Sequence, residues 1–82
     1  MTYTLYKREC LKSGPHHHPV ETFDTFKPAW AYALELFESQ GYHIVGCHLF
    51  PEFPYEPATA EFYVVKSTSH RTYVISEGSP NV

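Results

Sequence analysis

Between Phe26 and Gln40 the apolar residues Phe26, Trp30, Ala33, Leu34 and Phe37 recur at three- and four-residue spacing, with Lys27, Ala31, Glu35 and Glu38 on the opposite side. The spacing predicts one helix that buries an aromatic stripe. Asp24 and Thr25 offer side-chain oxygens to the orphan amides of a first turn, and Pro28 falls where its missing donor does little harm. Gly41 closes the segment, because a residue without Cβ takes the left-handed conformation that ends a helix.

The segments on either side supply what the stripe must pack on. Residues 2 to 11 mix aromatic and β-branched residues with charges, the pattern of a strand with one wet face. Lys12-Ser13-Gly14-Pro15 breaks it, and His16, His17, His18 and Pro19 prolong the excursion into a mobile loop before an extended pattern resumes from Val20 to Phe23. Tyr42 to Phe50 has the length and composition of a largely buried strand, in which Gly46 marks a bulge or a close approach. Glu61 to Lys66 and Arg71 to Glu77 form a hairpin across the polar turn Ser67-Thr68-Ser69-His70. The expected fold is α+β, an antiparallel sheet of four to five strands with one helix on one face in the order ββαβββ. Residues 1–77 then form a single domain and 78–82 a flexible tail, with the second sheet face left for polar side chains, a second copy or a partner to cover.

At 82 residues the apolar core is thin and leaves little room to enclose a substrate. Phosphate-binding glycine loops, HExxH and supported carboxylate pairs are absent from the sequence, so neither an enzyme nor a cofactor is expected. Cys10 and Cys47 allow at most one bridge, and without an apolar leader they are expected to be reduced thiols in a cytoplasmic protein. The apolar runs fall well short of the roughly 20 residues a membrane-spanning helix needs.

Charge is distributed unevenly. From Pro28 to Val65 there is no Lys or Arg but five glutamates, Glu35, Glu38, Glu52, Glu56 and Glu61, against a net charge of −3 for the whole chain. An acidic patch steers encounters towards basic partners and repels nucleic acid. Pro51, Pro54 and Pro57 recur at the three-residue period of a polyproline II helix, which would project Phe53 and Tyr55 between Glu52 and Glu56 as a stiff arm. The plainer reading is a rigid loop between strands. Glu35 and Glu38 share the outer helix face, and with Glu52, Phe53, Tyr55 and Glu56 they form the candidate partner-binding set.

Other constellations carry less chemistry. His16, His17 and His18 suggest a metal site, yet adjacent side chains alternate in extended chain and at most two reach one ion. His43, His48, His70, Cys10 or Cys47 would have to complete it, none at the spacing of a zinc module, and no metal is expected. Cys47 and His48 point to opposite faces of a strand, whereas His43 and Cys47 are expected to share one, and neither arrangement makes a nucleophile and base. Lys7, Arg8 and Lys12 form the basic cluster of an alternative reading, a nucleic-acid-binding module using the first hairpin. The net negative charge and the glutamates oppose it.

The Phe23-Asp24-Thr25-Phe26 entry into a helix that ends at Gln40-Gly41-Tyr42, between short strands, resembles the layout of small phage-encoded proteins, some of them anti-CRISPR or other host-takeover inhibitors. That resemblance implies no active site and a role in blocking a host protein complex at a surface that handles nucleic acid. A basic channel is the natural complement of the glutamate patch.

Overall fold

The computed structural model describes residues 2–50 and 59–78. β1 (Tyr3–Leu11) and β2 (Gly14–Phe23) form a hairpin, α1 (Phe26–Gln40) follows, and β3 (His43–Phe50), β4 (Thr59–Lys66) and β5 (Ser69–Glu77) complete one antiparallel sheet. The fold is α+β, with five strands in the order β2-β1-β5-β4-β3. The helix therefore carries the chain from one edge of the sheet to the other. The β3–β4–β5 meander returns until β5 pairs with β1, from Tyr3 opposite Glu77 to Arg8 opposite Thr72.

The core lies where the helix crosses β1, β4 and β5. Alternation along the strands turns Tyr3 and Leu5, Ala60, Phe62 and Val64, and Tyr73 and Ile75 to this face, where they meet Phe26, Ala29, Ala33 and Phe37. Phe37 is the hub: its ring lies 5.3 Å from Phe62 and 5.0 Å from Tyr73, both edge-on. The small Ala29 and Ala33, fully buried, let the helix approach closely, while Trp30 stays half-buried over Phe62 at 5.0 Å. Full burial of side chains such as Leu5, Phe62 and Ile75 contributes about 1.5–3 kcal/mol each.

Several local expectations are corrected by this register. The first excursion is no loop: only Lys12 and Ser13 turn, Gly14 at φ 116 pairs with Leu11, and His16 to Pro19 lie within β2. Pro15 and Pro19 are tolerated because β2 is an edge, where one side of the backbone needs no donors. β3 is not buried; it is the opposite edge, with Ile44, Val45 and Phe50 exposed. Its register shifts between Ile44 and Gly46, and a Cβ on Gly46 would meet the Tyr63 ring at 3.2 Å, so this glycine marks both a bulge and a close approach. The extra residue reverses side-chain parity. His43 therefore pairs with Val65 on the open face while Cys47 pairs with Phe62 on the helix face, so the two do not share a face as expected. The second hairpin turns at Ser67 and Thr68 alone, with Ser67 at φ 53.

The helix boundaries match the signals with one difference. Thr25 is the N-cap residue but makes no side-chain capping bond, and closure rests on Gly41 at φ 77 and the bonds from Gly41 and Tyr42 amides to Glu38 and Phe37 carbonyls. The start of β1 and the end of β5 are tied together as well. The Gly78 amide donates to the Thr2 carbonyl at 2.6 Å, and the fully buried Thr4 hydroxyl donates to the Gly78 carbonyl at 2.7 Å. Residues 79–82 of the expected tail lie outside the described residues.

Candidate functional site

Of the expected partner-binding set, Glu35 and Glu38 stand exposed on the outer face of α1. Glu52, Phe53, Tyr55 and Glu56, and with them the proline arm, lie outside the described residues. Below Glu38 the helix C-terminus and β3 enclose an apolar groove lined by Leu34, Phe37, Tyr42 and Ile44. A second groove, of about 340 Å³, lies further along the same seam between Phe26, Lys27, Trp30 and Leu49. Both grooves flank β3, a strand whose outer backbone groups have no neighbour among the described residues.

The two sheet edges differ in kind. β2 carries Pro15 and Pro19, and a register shift between Leu5 and Tyr6 leaves Val20 unpaired; such devices blunt an edge against further pairing. β3 contains no proline and no Lys, Arg, Asp or Glu, and it exposes Ile44 at 43%, Val45 at 65% and Phe50 at 57%. Beyond the bulge, Gly46 to Phe50 run in continuous register with β4 and offer an unguarded edge. Sequence reading missed this because strand order depends on pairings between distant segments.

The expected basic cluster is not brought together. Lys7 lies on the helix side of β1 with its Nζ 3.7 Å from Glu9, Arg8 lies on the open face 3.6 Å from Glu61, and Lys12 is at the hairpin tip. Glu9 also faces His18 at 3.5 Å. Among the described residues no group of three or more His, Cys, Asp or Glu converges to hold a metal ion. Desolvation pushes the Cys47 thiol up, the reverse of the shift that makes a thiolate nucleophile. No helix among the described residues is long and apolar enough to cross a membrane.

The open sheet face carries a polar row that the sequence did not reveal. The Tyr63 hydroxyl donates to Glu61 at 2.7 Å, and Arg8 approaches the same carboxylate oxygen. The bond to Glu61 is the main cause that pushes the Tyr63 phenol above its ordinary range, with Arg8 pulling the other way. At the flanks, His48 meets the Tyr63 ring edge-on at 5.8 Å and His17 meets Tyr6 at 5.9 Å. Comparison of the chain with protein-family models, curated proteins and solved structures gave no match.

Proposed function

We propose that this chain is a small non-enzymatic protein-binding module that docks a basic partner along β3 and the acidic outer face of α1. The observation that carries the reading is the β3 edge: eight residues without proline or formal charge, with Val45 and Phe50 more than half exposed and apolar grooves alongside. A partner strand added there gains main-chain hydrogen bonds, and its alternate side chains enter the seam beside Trp30 and Leu49. Glu35 and Glu38, in a stretch from Pro28 to Val65 without a cation, add attraction for a positively charged surface. Such a module fits an inhibitor that covers a nucleic-acid-handling surface of a host complex.

The test is an affinity pull-down with wild-type protein, the Glu35→Lys/Glu38→Lys double variant and a Val45→Lys/Phe50→Lys edge variant, with circular dichroism to check each fold. One stoichiometric basic partner retained by wild type and lost from both folded variants is the expected result. Retention of that partner by the edge variant would remove β3 from the interface.

A further inference from the structure

Histidines scattered along the sequence converge on one side of the sheet. Pairing places His17 opposite Arg8 and His48 opposite Glu61, while His43 and His70 both lie opposite Val65. Four of the six histidines thus share the open face with Arg8. Among the described strands the one carboxylate on that face is Glu61, held by Tyr63 at 2.7 Å and Arg8 at 3.6 Å. The other strand carboxylates, Glu9, Glu21 and Glu77, pair with His16, Leu5 and Tyr3 on the helix side.

The same face contains a slot of about 380 Å³ lined by Tyr6, His17, Val74 and Ser76. Val74, 7% exposed, makes an apolar floor; Tyr6 and His17 supply ring walls, and Ser76 a hydroxyl at the rim. A planar ring with polar edges fits those walls better than an aliphatic side chain does, because stacking needs only a π face and the hydroxyl can bond to an edge. His48 and Tyr63 repeat the ring pair on the far side of β5.

We infer that the open sheet face binds single-stranded nucleic acid, with a base in the Tyr6–His17 slot and phosphates met by Arg8 and by ring N–H donors of the histidines on that face. The base slot lies on β1, β2 and β5, away from the β3 edge. The base slot opens on the face of the sheet opposite the core and α1.

Fluorescence anisotropy of a short labelled oligouridylate at low salt tests the inference, with wild type, Tyr6→Ala and the exposed His17→Ser compared. Binding is expected to weaken with salt and to fall about tenfold in either variant. Dextran sulfate, a polyanion without bases, should compete poorly. No binding at low salt, equal affinity of wild type and His17→Ser, or competition by dextran sulfate as strong as by unlabelled RNA would each overturn it. His17→Ser keeps the test decisive if Tyr6→Ala does not fold.

Discussion

Thr4 shows how one hydroxyl can tie together the ends of two neighbouring strands. It is fully buried on β1, and its bond to the Gly78 carbonyl joins residues 74 positions apart. Thr4→Val keeps the shape and removes the donor, which should cost about 1 kcal/mol and lower Tm by roughly 4–8 °C in a thermal melt. Ser67 is the converse case, a residue with a side chain held at φ 53 in a two-residue turn. Glycine takes that conformation without the Cβ penalty, so Ser67→Gly should raise stability by about 0.5–1 kcal/mol, read from the urea midpoint. An unchanged or lower midpoint would show that the turn holds no strain.

At the scale of elements, the contrast between β2 and β3 matters most. β2 has Pro15, Pro19 and an unpaired Val20, whereas β3 exposes Ile44, Val45 and Phe50 with no charge to deter a neighbour. A single edge charge should therefore act on association rather than on folding. Val45→Lys replaces a 65% exposed side chain, so its stability should stay within about 0.5 kcal/mol of wild type. Any concentration-dependent self-association seen by analytical ultracentrifugation should fall in this variant; persistence would place self-contact elsewhere.

The whole molecule responds to alkali through a group at its centre. Tyr73 is 5% exposed beside Phe37, and burial pushes its phenol above the ordinary value of 10.0. The folded state keeps the proton while the unfolded chain releases it at the ordinary value, so this contribution is intact below pH 10 and is lost as pH rises through the folded pKa. The urea midpoint should hold between neutral pH and about pH 9 and fall above 10, and Tyr73→Phe should flatten the decline. An identical alkaline decline in Tyr73→Phe would assign the effect to other groups, Tyr63 first among them.

The α+β class, the bounds of α1 and the number of strands were legible in the sequence, because periodicity, a cap-forming Gly41 and punctuating turns are properties of neighbouring residues. Glu35 and Glu38 were likewise visible as an exposed pair on one helix face, whereas the grouping of Lys7, Arg8 and Lys12 dissolved once β1 sent the first two to opposite faces. The bulge after Ile44 reversed the faces of His43 and Cys47, and edge position exposed a strand whose composition suits a core. The histidine face has the same origin. Local sequence patterns placed most of the strand segments, though not His16 to Pro19; which strands lie at the edge, and which side chains share a face, depends on pairings such as Tyr3 with Glu77 between residues distant along the chain, and only the tertiary structure decides those.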